Sequence, residues 1–412
     1  MLNGPSPRSR SLVTPPLWFV LILAVFNAGF PLHDAWLVVA PRGSSTSSTA
    51  GRVKSISRTS SLIGSGNSCA AMAHIGSRAH PRREVTNIIM AKSALDGAGD
   101  CIQRVDTQET ASALVKKYDA FVFDCDGVLW GGSHSIEGSL DTVKALRRAG
   151  KRTFFVTNNS SKSRRQYCVK LEGFGVHGVG VEDIVTSGSA IAAYIKSAHP
   201  DVRTVYMIGE DGLEEELGMV GLRVVKEAAR PAPGMTEDEF RENVSDPEVG
   251  AVVVGLDTSF GFRQMCVASS YIQKGAHFLG TNPDIADRVG SLLMPGTGPM
   301  LASIQTASGV TPVVVGKPNP LLIRQLMDQN GLKASSTLMV GDRLDTDIMF
   351  GNAGGVSSAL VLTGVSEMSD VVGLQAGGDK TPTYLLERLG DLLPAATEAA
   401  EAIPETSMPS KI

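Results

Sequence analysis

Short apolar runs alternate with amphipathic stretches from about residue 110 onward, and this alternation predicts the elements of the fold. Mostly apolar runs of three to five residues indicate buried strands at Ala120–Phe123, Thr153–Val156, Thr204–Ile208, Ala251–Val254, His277–Leu279, Pro312–Val315 and Thr337–Val340. Helical spacing of apolar residues predicts helices over Leu140–Ala149, Arg164–Glu172, Ser189–Ser197 and Leu321–Gln329. Strands that alternate with helices are typical of an α/β fold with a doubly wound, mostly parallel sheet.

The length of the chain bounds the number of domains, and its charge bounds the classes of molecule that it can bind. A chain of 412 residues with 42% apolar residues is large enough for two domains. Residues 1–100 carry a net charge of +6, so residues 101–412 carry −10 of the total of −4. This acidic body argues against nucleic acid or an anionic membrane as the main partner. The tail 392–412, rich in Ala, Glu and Pro, is predicted to be loose.

The first hundred residues have the composition of a targeting presequence. Arg8 and Arg10 precede the apolar run Leu17–Phe26, in the order found in signal peptides. Residues 35–83 then contain seven Lys or Arg, many Ser and Thr, and no acid, as in transit peptides. The combination resembles the two-part presequences of plastids acquired by secondary endosymbiosis. We therefore expect residues 1–100 to be removed or disordered and the protein to act in a plastid; a cytoplasmic protein is the alternative.

Polar side chains follow two of the predicted strands directly. Asp124 and Asp126 come after the strand Ala120–Phe123, and Thr157 and Asn158 follow the next strand. Ligands bind outside the carboxyl ends of the strands in open α/β sheets, so we expect these side chains to share one crevice. The hydroxyl, amide and backbone N–H groups of the second pair are suitable donors to phosphate oxygens.

Two later strands end in further charged residues. Lys317 follows Pro312–Val315 and supplies a positive charge, whereas Asp342 and Asp347 follow Thr337–Val340 and add carboxylates. Two carboxylates about 4 Å apart repel by roughly 4 kcal/mol at an effective dielectric of 20. Such a group would expel a phosphate dianion without a countercharge. The site offers oxygen ligands and no nearby His, and the side chain of Cys125, between the first two acids, should point away from theirs, so the pattern predicts Mg²⁺.

In this order, these residues resemble the haloacid dehalogenase superfamily, and more closely its phosphoglycolate/4-nitrophenyl phosphatase branch. Its core is a Rossmann-like α/β domain with an inserted α/β cap. The resemblance covers about residues 112–385. The segments that carry it are Phe121–Trp130, Phe155–Arg164, Val314–Pro318 and Met339–Ile348.

The resemblance implies a role for each polar residue. Asp124 is the expected nucleophile, and Asp126 is the expected acid that protonates the leaving oxygen and then the base that activates water. Thr157 and Asn158 would hold phosphoryl oxygens. Lys317 would stabilise both the nucleophile and the transferring group.

The resemblance also implies a metal site. Mg²⁺ would be bound by the Asp124 side chain, the Asp126 backbone carbonyl and Asp342, with Asp347 near it or joined through water. A simpler role for Asp347 is to cap the helix that starts near Ile348.

The resemblance predicts the domain order as well. Residues 112–201 and 309–390 would form the catalytic core, and residues 202–308 would form a cap that contacts the leaving group. Asn282 and Asp284 are the cap residues that we expect to face the substrate. The branch often forms homodimers through the cap, and we expect the same here.

These expectations define an Mg²⁺-dependent phosphatase for a small phosphorylated metabolite. The preferred substrate is 2-phosphoglycolate, hydrolysed through an aspartyl-phosphate. A broader phosphatase for pyridoxal, glycerol or aryl phosphates is the alternative, and a phosphotransferase that uses the same nucleophile is a further one.

Overall fold

The computed structural model describes residues 102–227, 234–242, 246–289 and 292–403. The predicted presequence of residues 1–100 lies outside this range. Within the described residues, no helix combines the length and the apolar character that a membrane span requires.

Seven parallel strands form the main sheet. In spatial order they are Gln103–Arg104, Tyr384–Leu386, Ser357–Val361, Thr337–Gly341, Ala120–Phe123, Arg152–Thr157 and Ile184–Thr186. The strands predicted at 120–123, 153–156 and 337–340 lie side by side at its centre. A doubly wound, mostly parallel fold is thereby confirmed.

Helices cover both faces of the main sheet. Alternate residues of one strand point to opposite faces, so Phe121 and Phe123 pack in one apolar cluster and Val122 in another. The helices are Gln108–Lys117, Ser139–Arg148, Arg164–Gly173, Ser187–Ala198, Asp211–Met219, Glu237–Glu242, Phe262–Gln273, Thr297–Ser308, Leu321–Asn330, Met349–Gly354, Met368–Val371 and Leu393–Glu401. Short helical turns span Val181–Asp183, Ala334–Ser336, Leu344–Ile348 and Leu389–Leu392.

A second sheet of five parallel strands is built from the middle of the chain. In spatial order its strands are Val313–Val314, His277–Gly280, Val249–Val254, Thr204–Ile208 and Arg223–Val225. The helix Ser187–Ala198 belongs to an apolar cluster that contains residues of both sheets, including Val122 and Val253. Two antiparallel hairpins complete the described part: Trp130–Gly131 with His134–Ser135, and Ala286–Val289 with Leu292–Pro295.

The strand predicted at Pro312–Val315 is placed differently from our expectation. Only Val313–Val314 forms a strand, and it pairs with His277–Gly280 at an edge of the second sheet instead of joining the main sheet. Its apolar side chains are not fully buried, since Val313 is exposed. An apolar run shows that a segment is extended, but it does not show which sheet the segment joins.

The prediction of a loose tail is wrong for its first part. Leu393–Glu401 is a helix that packs against Ser139–Arg148, and Ala395 and Ala396 are buried. Ala and Glu are strong helix formers, and the apolar positions 392, 395, 396 and 399 lie on one helical face. Residues 404–412 lie outside the described range.

Candidate active site

The carboxyl ends of the central strands bring the predicted polar residues together. Asp124, Thr157 and Asp342 each stand at the end of one of three neighbouring strands of the main sheet. The backbone N–H of Asp124 donates to Val340 O at 2.9 Å, which ties the end of its strand to the next. Lys317 reaches the same place from the edge strand of the second sheet.

Lys317 is the centre of a buried charge network. Its Nζ donates to Asp124 Oδ1 at 2.7 Å, to Asp347 Oδ1 at 2.6 Å and to Val156 O at 3.2 Å. An ammonium has three donors, so these contacts use all of them. The side chain is only 2% exposed. Lys317 therefore holds the Asp124 carboxylate in one orientation.

Asp347 holds the loop that follows the central strand. Its Oδ1 accepts from Lys317, and its Oδ2 accepts from the backbone N–H groups of Asp342 at 3.2 Å and Arg343 at 3.1 Å. The helix that starts after Ile348 has no side-chain cap. The simpler role as a helix cap is therefore not the one that the structure shows.

Asp342 has one oxygen held and one oxygen unpaired. Its Oδ2 accepts from Val365 N at 2.7 Å, whereas its Oδ1 is buried without a hydrogen-bond partner among the described residues. Glycines surround this carboxylate closely. A Cβ at Gly364 would lie 1.8 Å from Asp342 Oδ2, and one at Gly127, whose φ is +87°, would lie 2.5 Å from it. Only glycine at these positions leaves room for the carboxylate.

These carboxylates fit a divalent cation. Carboxylate oxygens of Asp124, Asp342 and Asp347 lie within 4.8 Å of one another, and the Lys317 ammonium contacts two of the three carboxylates, those of Asp124 and Asp347. Burial raises the pKa of Asp124 to about 7, with Lys317 opposing and Asp347 adding to the rise. Burial, with Asp347 and Asp124, likewise raises the pKa of Asp342 well above its usual range. A cation beside the unpaired Asp342 Oδ1 would supply the missing countercharge.

Asp126 lies beside this centre and faces the cleft. Its side chain is accessible to solvent through the opening of the cavity, although protein atoms surround it on most other sides. Burial within the cleft raises its pKa, and the charge of Lys170 and a hydrogen bond from Trp130 oppose the rise. A carboxyl group that is accessible and has a raised pKa is suited to proton transfer.

Asn158 is engaged more fully than the sequence suggested. Its Oδ1 accepts from Lys317 N at 2.8 Å, and its Nδ2 donates to Asp284 Oδ1 at 3.0 Å and Lys317 O at 3.2 Å. The Asn282 amide in turn donates to the backbone carbonyl of Asn158 at 2.7 Å. These side chains therefore brace the loop that carries Lys317. The Thr157 hydroxyl also lines the cleft, where it accepts from a backbone N–H two residues on.

One cavity of about 580 Å³ is lined by all of the predicted site residues except Asp347, which is fully buried behind Lys317. Its walls also include Arg343, Asp287 and Met294, which the sequence motifs did not single out. Arg343 lies inside the quoted segment Met339–Ile348, so its position beside Asp342 was an available signal. Asp287 and Met294 lie on the paired strands Ala286–Val289 and Leu292–Pro295, which carry no recognisable motif.

Two family models match the chain. Residues 121–223 match a model described as haloacid dehalogenase-like hydrolase, and residues 314–392 match a HAD-hydrolase-like model. The chloroplastic phosphoglycolate phosphatase 1A of Arabidopsis thaliana is 40% identical over 293 residues, which are 69% of this chain and 79% of the relative. The chain belongs to the haloacid dehalogenase-like hydrolases.

Other members of the haloacid dehalogenase-like hydrolases also align along most of their length. The glycerol-3-phosphate phosphatase of Gallus gallus is 35% identical over 70% of this chain and 95% of the relative. These relatives are phosphatases, and the present family member is likewise a phosphoric monoester hydrolase that acts on small phosphate monoesters.

Solved structures of the haloacid dehalogenase-like hydrolases share the fold. The p-nitrophenyl phosphatase of Archaeoglobus fulgidus has a TM-score of 0.57 at 31% identity and covers 68% of this chain and 99% of its own. The glycerol phosphate phosphatase of Mycobacterium tuberculosis in complex with magnesium has a TM-score of 0.58 at 32% identity, over 71% of this chain and 81% of its own.

Proposed function

We propose that this hydrolase is an Mg²⁺-dependent 2-phosphoglycolate phosphatase that works through an aspartyl-phosphate on Asp124. One observation carries the proposal: Asp124 is held at 2.7 Å by a fully engaged Lys317 and lies in the same cavity as the accessible Asp126. A fixed carboxylate beside a proton donor is the arrangement that two-step phosphoryl transfer needs.

The first step transfers the phosphoryl group to the protein. An Asp124 oxygen attacks phosphorus as the bond from phosphorus to the glycolate oxygen breaks. Asp126, in its acid form, gives its proton to that leaving oxygen. Lys317 stabilises the negative charge that gathers at the reacting centre. The Thr157 hydroxyl and the backbone N–H groups beside it are the proposed donors to phosphoryl oxygens.

The second step returns the enzyme to its starting state. Asp126, now a carboxylate, takes a proton from water, whose oxygen attacks phosphorus and releases Asp124 and inorganic phosphate. Asp124, the Asp126 backbone carbonyl and Asp342 are the proposed metal-binding groups, and Asp347 holds Lys317 and the adjacent loop. When bound, Mg²⁺ neutralises charge on the phosphoryl oxygens.

Arg343 and the plant relatives support 2-phosphoglycolate over other esters. Among the described residues that line the cavity, Arg343 is the one cation besides Lys317, whose donors are all in use. Its own contacts are long, 3.4 Å to Asp345 and 3.5 Å to Ala286 O. A guanidinium that is weakly engaged can turn to bind a substrate carboxylate through two hydrogen bonds.

A panel of phosphate esters tests this substrate. We expect the highest kcat/KM on 2-phosphoglycolate, with phosphate released in the absence of any added acceptor. In Arg343→Gln, kcat/KM should fall about 10- to 100-fold on 2-phosphoglycolate, from the loss of charged hydrogen bonds, and by less than about threefold on glycerol 3-phosphate. Arg148→Gln, at an exposed position outside the cavity, is the matched control.

Equal wild-type rates on all esters would defeat the specific substrate while leaving the phosphatase chemistry intact. If Arg343→Gln lowered kcat/KM by the same factor on every ester, Arg343 would not be the group that selects the substrate carboxylate.

We also propose a plastid location and a cap at residues 202–308. The composition of residues 1–100 and the chloroplastic relatives support the location, and a fluorescent fusion of the whole chain tests it. Homodimerisation through the cap stays a prediction that light scattering of the purified protein can check.

A further inference from the structure

Trp130 donates a hydrogen bond directly to Asp126, the proposed general acid and base. Its indole Nε1–H donates to Asp126 Oδ1 at 2.9 Å, and the side chain is fully buried. The turn between the two residues is closed by the backbone, since Gly127 N donates to Trp130 O at 2.8 Å. The bond therefore joins two points of one short, tightly bonded turn.

The indole ring is held on several sides. It stacks on Tyr167 with ring centroids 6.2 Å apart and on Phe174 at 5.7 Å. The half-buried Lys170 places its Nζ 3.7 Å from the centroid of the ring. Stacking and a cation over the ring fix its plane, so the N–H direction is also fixed.

An indole N–H can only donate a hydrogen bond. Asp126 Oδ1 must therefore be an acceptor as long as this bond persists. The carbonyl oxygen of a carboxylic acid is a better acceptor than its hydroxyl oxygen, so in the acid form of Asp126 this bond favours Oδ2 as the oxygen that carries the transferable proton. The bond to Trp130 thus selects which oxygen exchanges a proton with the leaving group and with water.

We propose that Trp130 is a positioning residue that orients the Asp126 carboxyl for proton transfer. The proposal rests on the role of Asp126 in the proposed function. It gives the buried tryptophan a task in the reaction beyond packing. Substrates whose leaving group needs a proton should depend on Trp130, and substrates whose leaving group does not need one should not.

Leaving-group dependence separates positioning from packing. Glycolate and glycerol leave as poorly stabilised alkoxides and need a proton, whereas 4-nitrophenolate leaves readily without one. Two changes remove the N–H donor: Trp130→Phe, and site-specific replacement of Trp130 by β-(3-benzothienyl)alanine, which keeps the size and shape of the indole ring. Both are made in the full chain, with kcat, KM and the melting temperature measured.

The isostere should lower kcat/KM on alkyl phosphates about 10- to 100-fold, a part of the full contribution of general acid catalysis, and lower kcat/KM on 4-nitrophenyl phosphate by less than about threefold. We compare kcat/KM because it reports the first step, in which the leaving group departs, whereas the later attack of water is common to both substrates. Phe174→Leu removes one of the three contacts on the ring and keeps the N–H donor and the contacts of Tyr167 and Lys170, so it should change kcat/KM on both substrates by one common factor.

Equal losses of kcat/KM on alkyl and aryl phosphates in the isosteric protein would overturn the positioning role, and so would an unchanged kcat/KM on the alkyl phosphates. Either result would leave the proposed phosphatase function standing, because the wild-type activity is measured alongside. Absence of hydrolysis of all esters by the wild-type protein would instead reject that function, and the role of Trp130 with it.

Discussion

The floor and the wall of the cavity are built in opposite ways. On the floor, Lys317 is almost entirely buried on top of Asp347, all three of its ammonium donors are engaged, and both Asp347 oxygens accept hydrogen bonds. On the wall, the paired strands Ala286–Val289 and Leu292–Pro295 carry the exposed Asp287 and a Met294 that is 47% exposed. The buried network fixes the positions of reacting groups, whereas the open wall tolerates different side chains. Under the proposed function, the floor carries the chemistry and the wall takes part in substrate selection.

Removing the buried ammonium should have the largest effect. Lys317→Met would leave the Asp124 and Asp347 carboxylates without their cation, which typically costs about 3–5 kcal/mol of unfolding free energy. We expect kcat to fall at least about 100-fold, as for other losses of charge stabilisation in a transition state. Denaturant unfolding and steady-state kinetics measure the two effects.

The exposed Lys116 supplies the control for this change, since Lys116→Met should alter neither quantity. A Lys317→Met protein with wild-type stability and kcat would show that the floor does not depend on its central charge.

A single methyl group on the floor should have an intermediate effect. The Cβ of Gly364→Ala would overlap Asp342 Oδ2 and displace the carboxylate with the unpaired oxygen. Disturbing the supports of a metal ligand typically costs about 10- to 100-fold in metal affinity. Titration of activity with Mg²⁺ should therefore give a higher half-saturating concentration in the variant.

Gly131→Ala is the matched control on the rim of the same cavity, because a Cβ there meets no atom within 4 Å. Mg²⁺ titrations of the two variants are compared directly, and identical curves would show that Asp342 is not a metal ligand.

Neutralising a charge on the wall should have the smallest effect. Asp287 is exposed and lines the cavity, so its negative charge weakly repels an anionic substrate. Asp287→Asn should lower KM about two- to fivefold, in keeping with the modest energies of exposed charges, and leave kcat unchanged. The difference should shrink as salt is added. Asp328→Asn, at an exposed position outside the cavity, is the control; a changed kcat in Asp287→Asn would mean that the wall takes part in the chemistry.

The local sequence pattern was sufficient to predict the residues of the cavity floor but not those of the wall. Asp124 and Thr157 each follow an apolar run directly and Asp342 follows one after a single glycine, and parallel strands bring their carboxyl ends to one edge of the sheet. Their gathering could be predicted without knowing the order of the strands. The strand before Lys317 was assigned to the wrong sheet, yet Lys317 still arrives at the site, because that edge of the second sheet lies beside it.

Long-range contacts explain what the sequence did not reveal. Asn158 is 126 residues from Asp284, and only the folded chain shows that their side chains bond to each other. The bond from Trp130 to Asp126 is local, but a tryptophan in an apolar segment is read as core unless its N–H direction is known. The helix Leu393–Glu401 was missed because a composition typical of loose tails also suits a helix that packs.

Trapping the covalent intermediate tests the central claim most directly. Protein mixed with 2-phosphoglycolate and Mg²⁺ is quenched with acid and treated with borohydride, which reduces an aspartyl-phosphate to homoserine, and the peptides are analysed by mass spectrometry. We predict homoserine at position 124 in the wild-type protein and its absence in Asp124→Asn. Continued phosphate release by Asp124→Asn, or reduction at another carboxylate, would contradict the account.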